Sequence, residues 1–336
     1  MDLTTTYMGL KLRNPLVASP SPLAYTVEGV QRLADAGVSA IVLPSLFEEQ
    51  VRREAEENRR LATAGADSFA ESLSYFPQAA EEEHGPERHL SLVERAAAAV
   101  DVPVIGSLNG ITPGGWTEYG RAMQDAGAAA IELNIYHLPG DTRTPGRAVE
   151  QRCVDILAQV KKAVTVPVAV KLSPYFSSPG ELALRLDKAG ADALVLFNRF
   201  LQPDIDPESL AVVPAVGLSS PVDAGLPRTW IALLHGRVRA SLAATSGVEG
   251  PLDVAKFLLA GADVVMSTSA LLRHGPGHAA TLLDGLSAWM DRKGFTTVDE
   301  VRGRLSVPGD RDGTKHERAG YVSALRAANA SPYGPW

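Results

Sequence analysis

The chain has 336 residues, 45% hydrophobic and 21% charged, which is enough apolar surface to bury a sizeable core. Its formal charge of −7 argues against the basic face that nucleic-acid binding requires. A single cysteine, Cys153, excludes internal disulfides and any multi-cysteine metal or iron–sulfur centre. The opening MDLTTTYMGLKLRNP lacks the basic start and apolar stretch of a secretory signal, and no apolar run approaches about 18 residues. A cytoplasmic protein without membrane attachment is expected.

Eight apolar runs follow in chain order: NPLVASP (14–20), SAIVLPS (39–45), VPVIGSL (102–108), AAIELNIY (129–136), VPVAVKL (166–172), ADALVLFN (191–198), RASLAATS (239–246) and ADVVMSTS (262–269). Their starts recur about every 35 residues, the length of one strand–helix unit. Four of the runs follow a repeated phrase, DAGVSA at 35, DAGAAA at 125, KAGADA at 188 and LAGADV at 259. Each phrase reads as a helix closing on a left-handed glycine before a strand begins. The pattern predicts an α/β fold, a (β/α)8 TIM barrel. An open doubly wound sheet would carry a G-x-G-x-x-G after an early strand, and none is present.

Two intervals exceed one helix: residues 46–100 after the second strand, and the Pro-rich PDIDPESLAVVPAVGLSSPVDAGLPRT after the sixth. Both follow strand carboxyl ends, the face where barrels keep their active sites, and are expected to wall the site. The charged run at 47–60 reads as a solvated helix face. One barrel domain over 1–305 is expected, with a C-terminal extension over 306–336.

The strand tips supply the candidate site: Ala18 and Ser19; Pro44 and Ser45; Asn109 and Gly110; Asn134, Tyr136 and His137; Lys171 and Ser173; Asn198 and Arg199; Ser246 and Gly247; Thr268 and Ser269. The set is polar but nearly free of carboxylates, so no metal site is expected and no Ser–His–Asp triad stands out. A ligand with many hydrogen-bonding edges suits it better. Ser246-Gly247 and Thr268-Ser269, beside a helix starting near Pro251, match the place where barrels bind phosphate. Strand alternation puts Glu132, Asn134 and Tyr136 on one face, with Lys171 either paired to Glu132 or facing an electron-rich ligand edge.

At these residues the sequence resembles the dihydroorotate dehydrogenase family, in its shorter, soluble class. The likeness runs from TTTYMGLKLRNPLVASPSPL through SLNG, ELNIY, AVKLSPYF, LFNR, DIDPES, ATSGVEGPLDVAKFLLAGAD and STSALLRHGPG to FTTVDEVRGRLS. It implies an amino-terminal hairpin and a barrel that binds FMN. It assigns cofactor contacts to Ala18, Ser19, Asn134, Lys171, Asn198, Ser246, Gly247, Thr268 and Ser269, with Lys171 stabilising anionic reduced flavin. Asn134, Tyr136 and Asn198 fall on the substrate side.

The departures lie there too. His137 stands where the family has its proton-abstracting Cys or Ser; imidazole suits that task near neutral pH, and the other reading of His137 is a structural one, a cap on the fourth strand left where the base was. The second-strand Lys that meets substrate is absent from IVLPSLF, and the Asn-rich loop after it reads TAGADSFAESLSYF. Each missing charge-assisted contact is worth about 1.5–3 kcal/mol, so tight dihydroorotate binding is not expected. Three readings stand open: an FMN-dependent oxidoreductase for another CH–CH donor, with His137 and Lys171 catalytic; a flavin-binding subunit impaired in catalysis; and a dihydroorotate dehydrogenase of pyrimidine biosynthesis using His137 as base. The resemblance further implies a homodimer, a small-molecule substrate and, in one subclass, an electron-transfer partner subunit.

Overall fold

The structure, a computed structural model, describes residues 1–49, 86–110, 113–136, 140–199, 203–213 and 217–330. The chain opens on an antiparallel hairpin of β1 (Thr5–Tyr7) and β2 (Leu10–Leu12). Its two-residue turn, Met8-Gly9, holds both residues at positive φ, 52° and 78°, the twist a tight hairpin needs.

Eight parallel strands then close into the expected barrel: β3 (Leu16–Ala18), β4 (Ala40–Phe47), β5 (Val104–Asn109), β6 (Ala130–Asn134), β7 (Val168–Leu172), β8 (Ala193–Leu196), β11 (Ser241–Ala244) and β12 (Val264–Ser267). A second hairpin, β9 (Asp204–Asp206) and β10 (Ala211–Val213), lies in the insertion after β8. The helices are α1 (Val27–Asp35), α2 (Pro86–Ala99), α3 (Pro113–Asp125), α4 (Gly146–Ala163), α5 (Pro179–Lys188), α6 (Gly225–Leu234), α7 (Pro251–Ala260), α8 (Ser269–His274), α9 (His278–Lys293), α10 (Val298–Val301) and α11 (Gly313–Ala330).

The repeated phrase performs as read. Gly37, Gly127, Gly190 and Gly261 end their helices at φ between 95° and 117°, a region that excludes most side chains. The next residues enter the sheet at once: Ser39 donates to Leu16 O, Ala129 to Val104 O and Asp192 to Val168 O.

Two layers of core follow from strand alternation. Inward residues are mostly small, among them Ala40, Ala130, Ala169, Ala193 and Ala243, and the space they leave is filled from below by Tyr7, Met8 and Leu12 of the opening hairpin. Met8 N donates to Ser241 Oγ and Thr5 Oγ1 to Asp263 O, so the hairpin plugs the amino-terminal end of the barrel. Outward residues pack under the helices, where Cys153 is buried as an apolar filler with its thiol pushed up to about 12 by desolvation.

Three expectations need correction. The second strand runs to Phe47, past the predicted end at 45, because its register shifts between Val42 and Ser45, where Pro44 offers no N–H to the ladder. Glu48, which follows, is buried instead of lying on a solvated face; the rest of that charged run, from residue 50, lies outside the described residues. The fourth strand stops at Asn134. Tyr136 N bonds Asn134 O at 2.9 Å, so the chain turns and Tyr136 leaves the face shared by Glu132 and Asn134.

His89 on α2 has a buried Nε2 with no hydrogen-bond partner in the described structure, and desolvation pushes its pKa down to about 4. The folded protein keeps His89 neutral while the unfolded chain protonates it below its ordinary value near 6.5. Stability is therefore full above that value and falls as pH drops, levelling off near 4. By linkage the loss reaches up to about 3 kcal/mol. Urea unfolding at several pH values is expected to show this slope in the native chain and a shallower one in His89→Leu.

Candidate functional site

The carboxyl ends of the strands carry two clusters of polar groups. The first spans β4 to β8. Ser45 Oγ and Ser107 Oγ share a proton at 2.8 Å, Asn134 Nδ2 donates to Ser45 Oγ at 3.1 Å, and Asn198 Nδ2 donates to Asn134 Oδ1 at 2.5 Å. This chain fixes both amides: Asn134 exposes its remaining N–H and Asn198 its carbonyl. The backbone of Asn198 is tied to Leu172 O at 2.7 Å, which locks the β8 tip onto β7.

Lys171 lies beside Asn134 in the parallel register, and its Nζ is 3.5 Å from Glu132 Oε1. Both side chains are buried, and neither Glu132 oxygen has a hydrogen-bond partner in the described structure. The pairing reading of Lys171 holds. A buried carboxylate needs such a cation, and the lysine keeps two donor directions for a ligand at the barrel mouth.

The second cluster joins β11, β12 and β3. Ser246 and Gly247 both sit at positive φ, 80° and 72°. Gly247 N donates to Ser219 Oγ at 3.1 Å, and both the N–H and the hydroxyl of Ser219 donate to Ser269 Oγ at 2.9 Å. Ser269 thus accepts twice and retains its own proton for a ligand. Ser19 N bonds Ser267 O at 3.1 Å, which places Ala18 and Ser19 next to Thr268; the Thr268 hydroxyl reaches Pro20 O at 3.4 Å.

Behind this loop Arg273 donates to Glu249 Oε2 at 2.5 Å and to Ser219 O at 2.8 Å, while His274 Nε2 meets Glu249 Oε1 at 2.8 Å. The His274 hydrogen bond and the Arg273 charge hold the Glu249 carboxyl below its ordinary range. The strand-six insertion is therefore strapped onto the loops after β11 and β12.

The predicted residues fall into these two groups. Asn134, Lys171 and Asn198 meet in one; Ala18, Ser19, Ser246, Gly247, Thr268 and Ser269 lie in the other. Tyr136 is exposed at the rim, and His137 lies outside the described residues.

Sequence reading missed three participants. Ser107 is a strand residue whose partner is 62 positions away, and Ser219 lies 50 positions before Ser269, so no local pattern pairs them. Glu48 turns its carboxylate onto the first turn of α3, so close that a Cβ on Gly115 would lie 2.4 Å from Oε2. The adjacent glycines Gly114-Gly115 are the one trace of that approach in the sequence.

The fold is thus an eight-stranded βα barrel with amide and ammonium donors at one side of its mouth and hydroxyls on a left-handed loop at the other. The chain belongs to the dihydroorotate dehydrogenase family: the family profile described as Dihydroorotate dehydrogenase matches residues 2–290.

Among its relatives is the Dihydroorotate dehydrogenase B (NAD(+)), catalytic subunit, of Methanothermobacter thermautotrophicus, 26% identical over 90% of this chain and 97% of that protein. The NAD-dependent dihydropyrimidine dehydrogenase subunit PreA of Escherichia coli is 26% identical over 90% of this chain and 76% of that protein. The same figures hold for the Dihydropyrimidine dehydrogenase (NADP(+)), chloroplastic, of Arabidopsis thaliana. The chain's class is accordingly that of the oxidoreductases. Among the described residues no helix is long and apolar enough to cross a membrane, and no cluster of His, Cys, Asp and Glu could hold a metal ion.

Proposed function

We propose that this chain is an FMN-dependent oxidoreductase that draws hydrogen from an uncharged CH–CH donor in preference to dihydroorotate. The observation that carries the reading is the two-ended donor set. The donors fit FMN in chemistry: hydroxyls and N–H groups for a phosphate, and two oriented amides with an ammonium for a ring edged by carbonyls and nitrogens.

Ser246, Gly247, Thr268 and Ser269 hold the phosphate in this reading, and Ala18 and Ser19 line the ring. When bound, FMN supplies the acceptor for the hydride that leaves the donor carbon. Lys171 stabilises negative charge on the ring edge, and Asn134 and Asn198 orient ring and donor. His137, directly after the rim residue Tyr136, takes the proton from the neighbouring donor carbon.

One feature supports an uncharged donor: the family's substrate lysine is missing from IVLPSLF. A dihydropyrimidine ring, as in the names of two of the relatives, answers to it. Two of the relatives are named as subunits; a partner subunit that accepts the electrons and a homodimeric, cytoplasmic assembly complete the proposal.

The test begins with the absorption spectrum of the purified protein and identification of the chromophore released on denaturation. FMN is expected, bleached anaerobically by a dihydropyrimidine and far more slowly by dihydroorotate, with the bleaching abolished and the flavin retained in His137→Ala. A colourless protein that cannot be loaded with FMN would sink the reading. Flavin that resists every donor would favour an impaired subunit, and rapid bleaching by dihydroorotate would restore that substrate.

A further inference from the structure

The first polar cluster contains a pair of hydroxyls whose protons can be assigned. Ser45 on β4 and Ser107 on β5 are register partners, and their Oγ atoms lie 2.8 Å apart. Distance alone does not say which of them donates, since a hydroxyl carries one proton and two lone pairs. Burial decides it.

Ser107 is 0% exposed, so its proton cannot go to bulk solvent. Ser45 Oγ is its one hydrogen-bond partner among the described residues. The carboxylate of Glu132, the register partner of Ser107 on β6, takes no hydrogen bond on either oxygen in the described structure. Were Ser45 the donor of the pair, the Ser107 proton would be buried without an acceptor, which costs more than a neutral hydrogen bond contributes. Ser107 therefore donates, and Ser45 accepts.

Ser45 accepts a second time, from Asn134 Nδ2 at 3.1 Å. An amide N–H can only donate, so both lone pairs of Ser45 are occupied and its own proton remains. No described group receives that proton. Ser45 is half-buried, and its Oγ reaches Asn134 across the intervening strand β5, which sets the hydroxyl over the barrel mouth. It belongs there to the same chain of bonds as the amides of Asn134 and Asn198. Two accepted bonds thus orient the Ser45 hydroxyl before a ligand arrives, which lowers the cost of ordering it on binding.

We propose that Ser45 binds the CH–CH donor, giving its proton to a carbonyl oxygen of that ring, and that Ser107 is the positioning residue that keeps Ser45 in this orientation. The contact presupposes the proposed oxidation of a cyclic CH–CH donor and names a group on β4 that selects it. A hydroxyl supplies a directional bond and no charge, so it selects a ring by a neutral oxygen.

The test pairs removal of the side chain with a change of one ligand atom. Uracil, 2-thiouracil and 4-thiouracil are titrated into the FMN-loaded protein and followed through the flavin spectrum, sulfur being the poorer acceptor. The native chain is expected to bind one of the two thio compounds about tenfold more weakly than uracil. In Ser45→Ala, uracil weakens by about the same factor and the preference for oxygen over sulfur disappears, while FMN affinity changes by less than about twofold. Ser45→Thr keeps the hydroxyl and restores both.

Melting of the FMN-free chain reads the hydroxyl pair without any ligand. Ser45→Ala strands the Ser107 proton and lowers the melting temperature by about 2 °C or more, and Ser45→Ala/Ser107→Ala, which removes the proton with its acceptor, regains most of that loss. A double variant that melts no higher than Ser45→Ala would overturn the proton assignment. An oxygen preference that survives in Ser45→Ala, or FMN affinity that falls in step with uracil, would overturn the contact with the CH–CH donor. A chain that takes up no FMN would defeat the proposed function and this contact together, whereas an undiminished FMN affinity with an unchanged oxygen preference defeats the contact alone.

Discussion

Lys171→Met is expected to lower the unfolding free energy of the FMN-free protein by about 3–5 kcal/mol, because it strands Glu132 as an unpaired buried charge. The geometry makes this site unusually exposed to such a loss. Glu132 is fully buried on the inward face of β6, among the alanines and valines of the barrel interior, and accepts no hydrogen bond in the described structure. Lys171 Nζ at 3.5 Å is the cation beside it.

Replacing both residues, as Lys171→Met/Glu132→Met, exchanges the ion pair for apolar groups of similar length. The double variant is expected to recover most of the loss, since a buried pair contributes little net stability once desolvation of both charges is counted. The measurement is a double-mutant cycle by urea denaturation without flavin. A single variant within about 1 kcal/mol of the native chain would show that water or another group already compensates Glu132. The cycle also separates two roles: a Lys171 variant that loses FMN could fail through ligand contact or through a destabilised barrel, and only the stability data tell them apart.

The barrel was legible because its grammar is local. A helix that ends on Gly37, Gly127, Gly190 or Gly261 and a strand that starts two or three residues later are written in consecutive letters, and their spacing identifies the closed parallel sheet. The residues at the barrel mouth could be named for the same reason, since a strand's carboxyl end lies there whatever its partners are. What escaped was decided across the chain. Glu48 is charged, in a charged run, and reads as solvated; only the irregular register at Pro44, which carries β4 to Phe47, brings its carboxylate onto Gly115. Tyr136 continues an alternating pattern in sequence, yet the turn back to Asn134 O ends the strand before alternation can place it. Ser219 sits in an insertion whose composition says only that it turns, and its role appears when Gly247 and Ser269 close around it.

That closure makes Gly247 the position where a single methyl group should do most damage to the loop proposed to hold the FMN phosphate. Its φ is 72°, and a Cβ there would fall 2.6 Å from Ala224 N and 2.7 Å from Ser220 O, both backbone atoms of the strapped insertion. Backbone cannot swing aside as a flexible side chain can, so Gly247→Ala combines left-handed strain with overpacking, together about 3 kcal/mol or more. Relief requires the insertion to lift, which breaks the Gly247–Ser219–Ser269 chain. Loss of FMN retention is therefore expected together with the loss of stability. Ser219→Ala keeps the backbone geometry and removes the hydroxyl that bridges Gly247 and Ser269, so it should weaken FMN while costing only about 1 kcal/mol of stability. Ser246→Gly tests the same loop from the opposite direction. Ser246 already occupies φ 80° with a side chain, and relaxing it is expected to gain about 1 kcal/mol. Thermal melts with and without added FMN distinguish the three. If Gly247→Ala melts and binds like the native chain, the insertion is not packed on this loop in solution, and the hydroxyl cluster does not form the anion end of the site.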